Sequence, residues 1–217
     1  MSRLRRTLAL ACLLAPGLPA QSHDWKIVPG ERVGPLTAAS TIESLRVAFG
    51  AANVRAGSVT ADEGFEEPGA VIYPDSPSRA LGVVWGEEKA AGHPAYVFVC
   101  YGQQSAGPCE WKTGEGITNG TSLAQLEKWN GRPFRLAGFG WDYSGAVLSW
   151  NGGRLEALVR PAGRVGLRLA PADSALDGPG AQRSYRQVLG DRSFSSGHPA
   201  MQALNPRVYS ILVTFSQ

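Results

Sequence analysis

Residues 190–199, Gly-Asp-Arg-Ser-Phe-Ser-Ser-Gly-His-Pro, hold the densest set of reactive side chains in the sequence. Asp191, Ser195 and His198 supply an orienting carboxylate, a hydroxyl nucleophile and an imidazole base, the equipment of a hydrolase. That chemistry needs the base within hydrogen-bond reach of the hydroxyl, which closeness in sequence does not provide. No nucleophile-elbow pattern is present. The same stretch reads as a helix start, with Ser196 or His198 capping a turn that opens at Pro199. Asp62, Glu63, Glu66 and Glu67 surround Gly64-Phe65. Carboxylates in such a knot suit hard cations, but the spacing fits no calcium loop and reads as a solvated turn. His23, His93 and His198 are far apart and form no zinc spacing, so neither a metal nor another cofactor is expected.

Aromatic residues are the more promising binding groups. Trp111, Trp129, Trp141, Tyr143 and Trp150, with Asp142 between two of the rings, crowd one forty-residue stretch. Large rings with a polar tip favour protein interfaces, and the same faces stack on sugars. Against this, rings in a small sheet domain also fill the core. Strand alternation would put Trp141 and Tyr143 on one side and Asp142 on the other.

The chain opens as an export signal. Arg3, Arg5 and Arg6 precede the apolar run Leu8–Leu14, and Leu18-Pro19-Ala20 offers a cleavage position. The run is too short to span a bilayer, which takes about 20 residues. Cys12 permits a less favoured lipoprotein reading. Those three arginines account for the whole net charge of +3; without them 18 basic residues face 18 acidic ones. No clustered basic footprint for nucleic acid then remains, since the run Arg160–Arg168 is broken by Pro161 and Gly163. Cys100 and Cys109 flank a Gly/Pro-containing loop between two β-prone runs, 96–99 and 110–112. Facing hairpin strands would bring them to disulfide distance, in a compartment that preserves the bond.

The elements that position these groups follow an internal repeat. Trp25-Lys26, Gly30-Glu31, Val33, Leu45, Gly50, Val54-Arg55, Gly57, Gly69-Ala70-Val71-Ile72 and Arg79 return in order. Their counterparts are Trp111-Lys112, Gly114-Glu115, Ile117, Leu126, Gly131, Phe134-Arg135, Gly138, Gly145-Ala146-Val147-Leu148 and Arg154. Each copy predicts a short helix. Ser40 to Glu43 and Ser122 to Gln125 have capping-box spacing, and Gly50 and Gly131 are stops. Strands are expected at 70–74, 80–85 and 96–101, then at 146–150, 154–159 and 164–169 around the turn Asn151-Gly152-Gly153. The remainder predicts loop over 171–181, a helix over 199–204, and a strand over 208–215 burying Tyr209, Ile211, Val213 and Phe215. The expected organisation is a signal over 1–20, α+β modules over 21–108 and 109–170, and an extension over 171–217 that completes the fold.

Gly120, Ser122, Gln125, Leu126, Gly131 and Pro133 resemble the opening helix-turn of a superfamily. It includes the beta-lactamase inhibitory protein and the small lipoprotein of the outer-membrane assembly machinery. The first copy departs from that pattern, with Ala39 and Ala52 where Gly and Pro would stand. The resemblance implies helices packed on a short antiparallel meander, sometimes in tandem, and exported, non-catalytic binding. Gly138-Phe139-Gly140-Trp141-Asp142-Tyr143 is also similar to a family of uncharacterised secreted bacterial proteins, from which no activity follows.

The expectation is thus a secreted or periplasmic binding module for an envelope or secreted protein. A carbohydrate- or peptidoglycan-binding module is the alternative, and a hydrolase built on Asp191, Ser195 and His198 the second alternative. Trp111, Trp129, Trp141, Asp142, Tyr143 and Trp150 are the candidate contact residues. Neither nucleic acid nor a membrane span of the mature chain is expected.

Overall fold

The computed structural model describes residues 24–61, 64–86, 93–103, 105–159 and 164–215. The export signal over 1–20, Cys12, His23, Asp62, Glu63 and Arg160 lie outside the described residues. The chain begins with three short strands, β1 (Lys26–Val28), β2 (Arg32–Val33) and β3 (Leu36–Thr37), and the helix α1 (Ile42–Phe49). Four longer strands follow: β4 (Val54–Thr60), β5 (Glu66–Ile72), β6 (Leu81–Trp85) and β7 (Pro94–Val99). The order then returns to a short strand, β8 (Lys112–Thr113), a helix, α2 (Leu123–Asn130), and strands β9 (Arg135–Ala137), β10 (Val147–Ser149) and β11 (Arg164–Ala170). Helix α3 (Gly178–Gln187), strand β12 (Ser193–Ser195), helix α4 (Pro199–Leu204) and strand β13 (Arg207–Thr214) complete the described chain. The class is α+β.

Six strands form the main antiparallel sheet, in the order β11-β13-β7-β6-β5-β4. A second sheet runs β10-β9-β12, and a third β3-β2-β1-β8. In the third, β1 and β8 pair in parallel with Lys26 opposite Lys112. The two Trp-Lys pairs therefore lie side by side. Trp25 meets Trp111 edge-on at 4.8 Å, and the Trp111 indole N–H donates to the Arg79 carbonyl at 2.9 Å. Strand β13, from the 171–217 stretch, lies between β7 and β11, so the main sheet crosses both expected module boundaries. One hydrophobic cluster extends across them too, from Ile27 and Leu45 through Val97, Leu126 and Val165 to Val213.

Both early helices are too short to persist alone and are held by tertiary packing. Leu45 and Phe49 of α1, and Leu123 and Leu126 of α2, are buried. The second capping box is as expected. Ser122 accepts from the Gln125 N–H, the Gln125 side chain accepts from the Ser122 N–H, and Gly131 ends the helix in the left-handed region (φ 80°). The first is displaced by one residue. Thr41, not Ser40, is the cap, and Ser44, not Glu43, returns the bond, because Ser40 instead accepts from the Thr37 N–H.

Four other expectations are corrected. Residues 154–158 form a 3₁₀ turn, not a strand. The 110–112 run does not face β7, because Lys112 and Thr113 are taken by β1; Cys100 and Cys109 are nevertheless bonded, with Cα atoms 5.9 Å apart. In β13 the register steps from Arg168↔Ser210 to Leu169↔Val208, which makes Tyr209 the extra residue of a bulge. Val208 therefore takes the buried place and Tyr209 is half-buried. Part of the 171–181 loop is helical, since α3 starts at Gly178 despite two early glycines. Tyr185 on its last turn stacks on Phe139 at 5.7 Å, and tertiary packing overrides propensity.

Candidate functional site

Strand β7 contains the run Tyr96-Val97-Phe98-Val99, without a polar residue for either face. Val97 and Val99 enter the main core, so Tyr96 and Phe98 point to the opposite, outer face of the sheet. That face has its own apolar layer. Val59 and Val84 are fully buried yet stand apart from the main cluster. Gly69 and Gly82 make the layer possible. A Cβ at Gly69 would lie 2.8 Å from Val59 Cγ2, and one at Gly82 would lie 2.7 Å from the Tyr101 ring. The β4–β5 hairpin thus curls over the sheet, with Tyr101 lying on Gly82. The Tyr101 hydroxyl accepts from the Thr60 N–H at 2.8 Å.

Beside this closed part the outer face opens into a groove of about 450 Å³. Phe98, Tyr101 and Tyr209 supply rings, and Thr60, Gln103 and Ser210 supply polar groups. Among the described residues no charged side chain lines it. The rings form a row, with Tyr96 edge-on to Phe98 at 5.5 Å and Phe98 tilted against Tyr101 at 6.2 Å. Tyr96 donates to Glu67 at 2.6 Å, which fixes one end of the row. Cys100 and the turn after it form one wall. The disulfide holds that wall, and so does Gln103, whose amide donates to the carbonyls of Pro77 and Pro108 at 2.8 Å each. On the other rim, Thr60 donates to Glu66 at 2.6 Å. Hydrogen bonds from Ser58 and Thr60 hold the Glu66 carboxyl below its ordinary range. Phe65, at the tip of this hairpin, is 65% exposed.

The aromatic residues singled out in the sequence do not form one site. Trp111 and Trp150 are sealed in the core, at 0% and 2% exposure, and are withdrawn as contact residues. Trp111 joins the two parallel strands, and Trp150 packs against Phe134 at 5.0 Å. Trp129 is half-buried and lines a separate hollow with Glu115, Lys128 and Arg154. Trp141, Asp142 and Tyr143 are exposed together. They occupy a turn, not a strand: Ser144 N–H donates to Trp141 O, Ala146 N–H to Tyr143 O, and Arg168 to Asp142 O. Turn geometry prevails because Gly145, at φ 66°, packs directly against the Leu169 carbonyl, where no side chain fits. Phe98, Tyr101 and Tyr209 were missed as contacts. Their available signal was the uninterrupted apolar run 96–99, which no single buried face can absorb.

Asp191, Ser195 and His198 do not assemble a triad. The His198 imidazole accepts from the Ala200 N–H at 3.1 Å and caps α4. Ser195 accepts from the Gly197 N–H at 3.2 Å. Asp191 is exposed. Ser196 is fully buried, donates to Glu127 at 2.5 Å and accepts from the Phe134 N–H at 2.9 Å. It ties α2 to the start of β9. Among the described residues no cluster of three His, Cys, Asp or Glu converges to hold a metal ion, and no helix is long and apolar enough to cross a membrane.

Compared with known proteins, the chain matches no family model, no curated protein and no solved structure.

Proposed function

We propose that the chain is an exported, non-catalytic binding protein, built from two related halves, that recognises another protein through the outer face of its six-stranded sheet. The observation that carries this reading is the groove lined by the rings of Phe98, Tyr101 and Tyr209. The Tyr101 ring is held by the Thr60 N–H and the wall beside it by a disulfide, which reduces the ordering left to be done on binding. Exposed Phe65 stands on the hairpin that forms one rim. Aromatic anchors in a preorganised depression are what protein interfaces concentrate. Export is supported by the signal pattern and by the disulfide, which oxidising compartments preserve. Shared ancestry of the halves is supported by the repeated element order and by the adjacent Trp-Lys pairs. The helix-turn resemblance to the inhibitory-protein superfamily agrees with a binding role.

A carbohydrate or peptidoglycan strand is the second reading. Rings beside the hydroxyls of Thr60 and Ser210 favour it, since they suit a sugar face. The test is a pull-down from bacterial envelope extract with the wild-type chain and with Phe98→Ala/Tyr209→Ala, alongside cell-wall pelleting. Retention of a protein by the wild type and its loss in the variant is the expected result. Pelleting with cell wall that the same variant abolishes would transfer the groove to glycan.

A further inference from the structure

Strand β4 lies at one edge of the main sheet, paired on one side only. Its ladder with β5 runs from Val54↔Ile72 to Thr60↔Glu66 without a step in register. Hydrogen bonds just beyond each end fix the phase of that ladder. Tyr73 N–H donates to Asn53 O at 2.8 Å, and Ala61 N–H donates to Phe65 O at 2.7 Å. In an antiparallel pair the two backbone groups of one residue point to the same side, and the side alternates along the strand. Residues 53 and 61 face β5, so 55, 57 and 59 do too, and 54, 56, 58 and 60 face outward. The Thr60 N–H agrees, since it is spent on the Tyr101 hydroxyl at 2.8 Å and not on β5. Gly57, at φ 158°, is extended backbone, and the register passes through it unbroken.

Of the outward groups, Val54 N–H returns to Ala51 O and Thr60 N–H is taken by Tyr101. Both backbone groups of Ala56 and of Ser58, and the Thr60 carbonyl, have no partner among the described residues. Residues 55–58 are exposed. Natural sheets blunt a bare edge with lysine, proline, other charges or a bulge. Residues 56–60 carry none of these. The edge also opens onto the groove. Val59 Cγ1 lies 3.0 Å from where a Cβ at Gly82 would stand, so β4 overhangs the outer face above β6. Thr60 belongs to both features: its amide ends on Tyr101, and it lines the groove with Phe98 and Tyr209.

From this geometry we infer that the partner is captured by strand addition: an extended segment of it pairs with the outward edge of β4 at Ala56 and Ser58, and turns the side chains of one of its faces toward the groove rings. The donor and acceptor pattern specifies the occupant. Outward N–H and C=O groups on every second residue are matched by another extended backbone, while pockets beside the edge select alternate side chains. Residues 56–60 present about 17 Å of edge, at roughly 3.4 Å each, which seats about five partner residues. The inference rests on the reading of the chain as a protein-recognising one and names the form in which the partner is recognised.

Ala56→Pro blocks the edge. It removes one outward N–H and puts a ring carbon in the path of an added strand, at an edge position where proline is tolerated. It changes no groove residue. The experiment is a display selection of random decapeptides on the full chain. Each enriched peptide is measured against wild type, Ala56→Pro and Phe98→Ala/Tyr209→Ala. It is also resynthesised in two forms, N-methylated at one or the other set of alternate residues. Unfolding curves confirm that the variants are folded, and the N-methyl series needs the wild type alone. The expected result is enrichment of peptides alternating apolar and polar residues. Their affinity falls at least tenfold in both variants and with one N-methyl set, and survives the other set. Peptides lost only in Phe98→Ala/Tyr209→Ala, and indifferent to Ala56→Pro and to both N-methyl sets, keep the groove and overturn strand addition. Peptides lost in Ala56→Pro and with one N-methyl set, but indifferent to the groove variant, keep the added strand and remove the groove reading. Failure to enrich any peptide overturns the inference. So does self-association of the wild type that Ala56→Pro abolishes, which assigns the edge to a second copy of the chain.

Discussion

Strands β4–β7 and the stretch from β9 to β11 each follow a short helix stopped by a glycine, and they end differently. In the first, Leu81-Gly-Val-Val-Trp bridges β5 and β7 as β6. In the second, Arg154-Leu-Glu-Ala-Leu coils into a 3₁₀ turn, and β10 and β11 border a cleft. Propensity accounts for part of this: valines and Trp suit a pleated surface, whereas Leu, Glu and Ala favour helix. A single position accounts for more. The residue before the stop glycine is Phe49 in α1 and Asn130 in α2. Phe49 packs edge-on against Tyr73 at 5.8 Å. Asn130, 1% exposed, donates to the carbonyls of Arg132 and Trp150 and accepts from the Leu155 N–H. It draws residues 150–155 back onto the end of α2, where a returning strand cannot form. One buried amide thus ties the 150–155 segment to the end of α2.

The comparison breaks most severely at Asn130. Asn130→Ala strands the buried Leu155 N–H and the buried Trp150 carbonyl, and is expected to cost about 2–4 kcal/mol by urea unfolding. The equivalent loss at Phe49 removes packing alone. Next is the disulfide, which anchors the end of β7 and has no counterpart after β11. Cys100→Ser/Cys109→Ser is expected to lower stability by about 2–3 kcal/mol for so short a loop, in the same measurement. A sharper pair lies on one line across the sheet, where Gly82, Phe98, Leu212 and Gly166 are successive partners. Gly82 is covered by Tyr101 and Gly166 is open. Gly82→Ala should cost about 1–3 kcal/mol through displacement of the ring. Gly166→Ala should lie within about 1 kcal/mol of wild type, on the stabilising side.

The smallest effect concerns Glu66. Its folded-state pKa is depressed, so its contribution is present above the unfolded carboxyl pKa and is lost as pH falls through the folded value. With intrinsic exchange rates divided out, acidification is expected to lower amide protection at Thr60 and leave that of the β10–β11 region unchanged. A pH-independent rate ratio between the two regions would show that the carboxylate does not hold the rim.

Much of the element inventory was legible because it rests on local chemistry. Ser122 and Gln125 announce α2, His198 and Pro199 announce α4, and the alternating run 164–169 announces β11. What stayed hidden depends on partners distant in sequence. The 154–158 turn is dictated by Asn130, about 25 residues earlier. The bulge at Tyr209 arises from pairing with β11, and the parallel contact of β1 with β8 joins segments 86 residues apart. The candidate site divides along the same line. The Cys100–Cys109 pair follows from spacing, whereas the groove requires β4, β7 and β13 to meet, and its rings were outweighed by the more conspicuous tryptophans.

Strand β13 is the latest strand of the main sheet in sequence, yet it sits between β7 and β11. During synthesis its neighbours emerge first and wait with open edges. Non-local closure of this kind slows folding and delays cooperative assembly until the final segment is available. A nascent chain so arranged stays threadable through a narrow conduit for longer than one whose sheet zips from its beginning.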